Sequence, residues 1–280
     1  MRRTWELLAV LILVVAVVVV VRMRSRVAPP EAPPAATRPA QPAAKIPDLG
    51  GREIKIGSDT TYPPFETVDE SKTIIGFDPD MIDEICRRVN CKAKFTTTAW
   101  DGIFVALAQG QFDAVVSGVT ITDERRKTID FSETYLRYGQ VVLVRADEAA
   151  ITGVDTLTGK KVAVQTGTTN DEKATALQKE GKVGEIKRYE SFALAVKALI
   201  NKDVEAVIID SFAADGFIGV EPGKLKKVGE PFTSEALGIA LKKGDTVLKE
   251  AFDAGLIQMK ADGALDRLYK KWFVERAPGK

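Results

Sequence analysis

The sequence contains no histidine. That single absence excludes Ser-His-Asp and Cys-His nucleophile pairs, imidazole zinc sites and histidine proton shuttles. Two cysteines in 280 residues are too few for a four-cysteine zinc site or a disulfide-built scaffold. Net charge is also nearly missing: 40 Lys and Arg face 39 Asp and Glu, leaving +1. As an average, that gives no electrostatic reason to bind a polyanion. What is present is the composition of a globular protein, 45% hydrophobic and 28% charged. The length allows one large domain or two ordinary ones.

The average conceals an uneven distribution. Residues 1–47 hold seven basic and two acidic side chains, a charge of +5, so residues 48–280 carry −4. A mildly acidic body speaks against nucleic acid as a partner. Leu7 to Val21 are apolar without a break. As a helix they would span roughly 22 Å, short of a bilayer core unless the flanks contribute. Trp5 and Arg22 can serve as interfacial flanks. No small-residue cleavage site follows closely, so residues 1–26 are expected to be an uncleaved anchor, with a cleaved signal as the alternative. The arginines at positions 22, 24 and 26 outnumber those at 2 and 3, a count that by itself would leave the body in the cytoplasm. Residues 27–47 contain seven Pro and seven Ala and read as an extended tether.

From residue 48 onward, β-rich runs alternate with helical ones. Strands are expected at 53–57, 91–95, 114–117, 141–145, 161–165 and 206–209. Helices are expected at 77–89, 100–108, 171–180, 192–201, 211–218, 245–262 and 263–273. Such alternation implies an α/β protein with mostly parallel sheets. In open α/β sheets, ligands bind beyond the carboxyl ends of the strands. Four strand-to-loop junctions carry unusual polar sets: Ser58 to Phe65, Ser117 to Arg125, Gln165 to Asn170, and Asp210-Ser211.

In order and spacing these junctions resemble the polar amino-acid-binding proteins of ABC importers. The resemblance covers residues 52–273. It is carried by Gly57-Ser58-Asp59-Thr60-Thr61-Tyr62-Pro63-Pro64-Phe65, Ile74-Ile75-Gly76-Phe77-Asp78, Phe112-Asp113-Ala114, Ile121-Thr122-Asp123-Glu124-Arg125 and Phe131-Ser132. It implies a two-lobed periplasmic-binding-protein fold of type II, with two mixed, mostly parallel sheets joined by a two-strand hinge. Lobe 1 would comprise about 48–140 and 239–280, and lobe 2 about 141–238. It also implies an extracytoplasmic location, a membrane permease as partner, and no catalysis, metal or cofactor. A monomer is expected.

The residue types suit an amino-acid ligand. Arg125, near a helix start, can grip a carboxylate in bidentate fashion. Thr120 and Thr169 can donate hydroxyl or backbone N–H bonds, Thr169 near a helix N-terminus, and Thr168 beside it is counted with the ligand-binding set. Asp210 suits the α-ammonium. Ser117 and Gly118 bring backbone close to the ligand, and Gln165 reaches or lines the pocket. Tyr62 and Trp100 resemble the family's aromatics that sandwich the ligand side chain, and Asp59 stands where binders of basic amino acids place an acid. Each residue also has an ordinary reading. Asp210 could cap a helix, Arg125 could be solvated surface, Tyr62 and Trp100 could be core, and the threonines and Asp59 could be turn residues.

Asp59 and Asp210 against Arg125 give the set a net −1. A ligand of net +1 neutralises it, whereas glutamate would leave a carboxylate unpaired at a cost of several kcal/mol. Arginine is therefore expected first, then lysine, with glutamine as runner-up. Cys86 and Cys91 are either a disulfide, which the resemblance allows with atypical spacing, or two buried thiols. An alternative is a cyclohexadienyl dehydratase-like enzyme. Those enzymes resemble this family and carry Thr-Asn-Glu where this chain has Thr169-Asn170-Asp171, one methylene short in the acid.

Overall fold

The computed structural model describes residues 46–275. The proposed anchor and most of the tether lie outside the described residues. Among the described residues, no helix is long and apolar enough to cross a membrane.

Two five-stranded sheets organise the chain. In the first, β1 (Arg52–Ser58) runs parallel to β5 (Cys91–Thr97) and to β6 (Ala114–Val115). Beyond β6 lie β15 (Ala240–Lys242) and β7 (Ile129–Phe131), β15 antiparallel to both neighbours. In the second, β10 (Lys161–Gln165) runs parallel to β11 (Glu185–Tyr189) and β12 (Ala206–Asp210). There β9 (Gln140–Arg145) is antiparallel to β12 and to β13 (Leu225–Val228). This is the α/β, two-lobed arrangement that the sequence implies. A short pair links the chain between the sheets: β8 (Leu136–Tyr138) lies antiparallel to β14 (Glu235–Leu237), with Tyr138 opposite Glu235. A small sheet of β2 (Thr61–Tyr62), β3 (Glu66–Val68) and β4 (Ile74–Ile75) folds the segment after β1.

Burial follows position in the sheets. Central β12, Ala-Val-Ile-Ile-Asp, is buried at every residue, as a strand covered on both faces must be. Edge strand β11, Glu-Ile-Lys-Arg-Tyr, keeps its charged residues exposed, which blunts the edge. Helix α1 (Phe77–Val89) buries Met81, Ile82, Ile85 and Val89 on one face. It ends where Asn90 turns left-handed, at φ 54°, as helix C-termini commonly do. Cys86, on α1, is bonded to Cys91 at the start of β5, with a Cα–Cα separation of 4.5 Å.

The expected elements lie within two residues of those observed, except for two helices. The helix expected from Trp100 is α2 (Ile103–Ala108), because Gly102 before it adopts φ 77° and cannot continue the helix backward. Trp100 is thereby left on a loop, facing the cleft. After α7 (Thr246–Ala261), the last helix is α8 (Ala264–Tyr269), followed by a π-helical turn, Lys270–Glu275.

Candidate functional site

The parallel strands of both sheets end at one cleft. Past β1 come Asp59 and Tyr62, past β6 Ser117, Gly118 and Thr120, and past β5 Trp100. Gln165 closes β10, and Asp210 closes β12. Helix α3 (Asp123–Arg126) brings Arg125, with Thr122 capping it. Helix α4 (Thr169–Lys179) presents its N-terminus, with Thr168 as the cap. These residues line one pocket, narrow in this state, with a cavity volume of about 20 Å³. All eleven residues singled out in the sequence line it, together with Asn170 and Phe192, which were not.

Hydrogen bonds within and across the cleft join groups far apart in sequence. Tyr62 Oη donates to Asp210 Oδ2 at 2.6 Å, and Asn170 Nδ2 donates to Asp210 Oδ1 at 2.8 Å. Gln165 Nε2 donates to Asp59 Oδ2 at 2.8 Å, and Trp100 Nε1 to the Gly167 carbonyl at 3.2 Å. Asp210 stands at the N-cap of α6 (Ser211–Val220), yet its side chain makes no capping bond. Its carboxylate faces the cavity instead. Burial raises the Asp210 pKa to about 7, against the opposing pull of its Tyr62 and Asn170 hydrogen bonds.

Arg125 is the one basic residue among those lining the cavity. Its Nη1 donates to the Thr120 carbonyl at 2.9 Å, and its guanidinium lies 5.3 Å from the Trp100 ring centroid and 4.8 Å from that of Phe104. Aromatic walls hold a guanidinium without neutralising it. Among the described residues no carboxylate pairs with Arg125 within ion-pair distance, and burial lowers its pKa. An anion entering the cavity would meet an oriented, uncompensated cation beside the N-terminus of α4. Arg125 is therefore not solvated surface, despite Arg126 and Lys127 beside it.

Gly118 sits at φ 53°, and a Cβ there would lie 3.0 Å from the Tyr62 ring. Only glycine permits both the turn and the approach of Tyr62. Thr120 joins the cavity to the β8–β14 pair. Tyr138 Oη donates to Glu235 Oε2 at 2.8 Å and accepts from Thr120 Oγ1 at 2.7 Å. Gln140 Nε2 reaches Glu235 Oε1 at 2.8 Å. Among the described residues no group of three or more cysteine or acidic side chains is placed to hold a metal ion.

The family signature of the bacterial extracellular solute-binding proteins, family 3, matches residues 54–275. The chain belongs to that family. This family-3 protein is 34% identical over 227 residues to a probable histidine-binding protein of Neisseria gonorrhoeae, covering 80% of this chain and 84% of that protein. It resembles the structure of an ancestral arginine-binding protein bound to arginine, with TM-score 0.76, 36% identity, and coverage of 80% and 99% of the two chains. It also resembles an ancestral amino acid-binding protein described as a precursor of cyclohexadienyl dehydratase, with TM-score 0.71, 37% identity, and coverage of 79% and 95%. The resemblance read from the motifs is thus borne out at the level of the family.

The two residues missed in the family-3 cavity differ in how visible they were. Asn170 lies in the third polar junction, and its place in the first turn of a helix after a strand was a usable signal. Phe192 opens α5 (Phe192–Ile200) and stacks on Tyr62 with centroids 5.2 Å apart and planes 26° apart. In the sequence it is one apolar residue of an apolar helix, and nothing sets it apart.

Proposed function

We propose that the protein captures a polar L-amino acid outside the cytoplasm, arginine first and lysine second, by closing its two lobes on it, and delivers it to an ABC transporter permease. The observation that carries this reading is the charge set of the cavity. Two carboxylates, Asp59 and Asp210, stand with one unpaired guanidinium, Arg125. Arg125 and the α4 N-terminus receive the ligand carboxylate, and Asp210 receives the α-ammonium. Asp59 takes the distal cation, and Tyr62, Trp100 and Phe192 cover the side chain. The arginine bound by the ancestral relative supports the same ligand class.

Lobe 1, about 48–140 and 239–280, holds Arg125 and two of the aromatics. Lobe 2, about 141–238, brings Gln165, Thr169 and Asp210. Closure is favoured by ligand because only the closed state makes both sets of contacts. The strands β8 and β14 are the hinge. Residues 1–26 anchor the protein, and it acts as a monomer.

The dehydratase reading has one observation in its favour, the likeness to a precursor of such an enzyme. The acid that would donate the proton is placed against it. Asp171 does not line the cavity, and its carboxylate is paired with Arg188 at 2.9 Å. A general acid must come within hydrogen-bond reach of the leaving group. A prephenate and arogenate turnover assay checks this: no product is expected, and measurable turnover would replace the binding reading with an enzymatic one.

A further inference from the structure

Behind the floor of the cavity two acids meet without a cation. Glu66, on β3, and Asp78, in the first turn of α1, are both 0% exposed. Glu66 Oε1 accepts from Ser117 Oγ at 2.6 Å. Asp78 Oδ2 accepts from the Gly118 amide at 2.9 Å and from Tyr135 Oη at 3.4 Å. One oxygen on each acid, Glu66 Oε2 and Asp78 Oδ1, has no donor from the protein. Their partners Ser117 and Gly118 are consecutive residues, and the Asp78 amide donates to the carbonyl of Phe65, the residue before Glu66, at 3.0 Å, which places the two acids together. Ionised together, they would leave two buried acceptors unsatisfied and two like charges in contact. One proton between them removes both defects.

We propose that Glu66 and Asp78 share one proton, with Glu66 as donor and Asp78 as carboxylate, and that this pair positions the cavity floor through Ser117 and Gly118. The hydrogen-bond directions follow. With Glu66 Oε1 accepting, the Ser117 hydroxyl is committed as a donor. Its lone pairs are then left for the Asp59 amide, which donates to Ser117 Oγ at 3.0 Å. Asp78 fixes the Gly118 amide, and so the left-handed turn on which Tyr62 rests. Three cavity residues are set by a pair that does not itself line the cavity. Neither acid enters the cavity lining, so both are positioning residues.

The surroundings keep the proton in place. The titratable groups facing the pair are Asp59, Tyr62 and Tyr135, all acidic. Neither acid has an ion-pair partner among the described residues. Burial, then repulsion from Asp78, pushes Glu66 well above the usual carboxylate range. Burial raises Asp78 to about 7, while its bonds from Gly118, Tyr135 and Glu66 hold it down. The stabler proton therefore sits on Glu66. Its folded-state pKa is raised, so the associated stability is present at low pH and lost as pH rises through that value.

The effect on affinity rests on the proposed amino-acid site; the shared proton does not. The experiment therefore has two readouts on the full chain. Infrared difference spectra, wild type minus Glu66→Gln at pH 7, are expected to show the carbonyl stretch of a protonated carboxylic acid. Its absence would overturn the proposal. Calorimetry with arginine compares Glu66→Gln with Glu66→Ala. The amide can donate to Asp78 and accept from Ser117, so Glu66→Gln is expected to bind within about threefold of wild type and to show a smaller alkaline decline in stability, the share tied to Asp210 remaining. Glu66→Ala is expected to bind about tenfold or more weakly. A Gln variant as impaired as the Ala variant would overturn the positioning role, and that comparison stands on Glu66→Gln alone if Glu66→Ala does not fold. An infrared band with no arginine binding in any variant would sustain the shared proton and sink the proposed ligand.

Discussion

The phenol of Tyr62 donates a 2.6 Å hydrogen bond to the carboxylate of Asp210, joining residues 148 positions apart and belonging to the ends of different sheets. Asn170 occupies the other carboxylate oxygen at 2.8 Å. Asp210 is thus oriented toward the cavity before any ligand arrives. Such preorganisation lowers the ordering cost of binding.

Removing that carboxylate should remove binding. Asp210→Ala is expected to weaken every amino acid by a hundredfold or more, about 3 kcal/mol, as for a truncated partner of a buried charge pair. Calorimetry on the purified variant measures it. Near-native affinity would take the α-ammonium contact away from Asp210.

Asp59 should discriminate by ligand charge. Asp59→Asn is expected to cost arginine and lysine about tenfold or more, roughly 1.4 kcal/mol, while glutamine changes little. The amide can still pair with Gln165 and Thr61, which contact Asp59 at 2.8 Å each. Equal losses for all three ligands would show that Asp59 does not face the side chain.

The Asp210 pKa of about 7 gives a proton linkage. In the empty protein the raised value means that the stability tied to this proton is present at low pH and lost as pH rises through about 7. An ammonium ligand favours the ionised form, so binding at pH 7 should release roughly half a proton. Binding enthalpies measured at pH 7 in buffers of different ionisation enthalpy will show it as a slope. A flat line would mean that Asp210 is already fully ionised.

The Cys86–Cys91 bond closes a short loop, five residues apart in sequence. Its loss should be modest: about 2 kcal/mol by loop entropy, or roughly 4–8 °C in Tm for a body of this size. The double Cys→Ser variant is expected to show this shift in calorimetric unfolding with arginine affinity unchanged. A change of ligand preference would tie the bridge to the site.

Long elements and strand-end chemistry were legible in the sequence. Helix 77–89 was bounded correctly because a periodic apolar face, acidic first turn and basic last turn agree there. The polar residues of the cavity announced themselves by breaking β-rich runs at Asp59, Ser117, Gln165 and Asp210. Strands of two or three residues, such as β2, β7 and β14, carry no measurable period and exist through tertiary pairing. Trp100 was assigned to a helix because nothing in the sequence shows that Gly102 takes φ 77°. Glu66 was invisible for a related reason: an acid after Phe65 reads as surface until Ser117 and Asp78 are seen beside it.

The central claim is that the cavity selects a cationic amino acid through Asp59, Asp210 and Arg125. Calorimetric titration of residues 48–280 with each of the twenty amino acids tests it most directly. Arginine is expected to bind tightest, lysine next and glutamine more weakly, with glutamate and apolar amino acids silent. Tightest binding by an acidic or apolar amino acid, or no binding by any of the twenty, would contradict it.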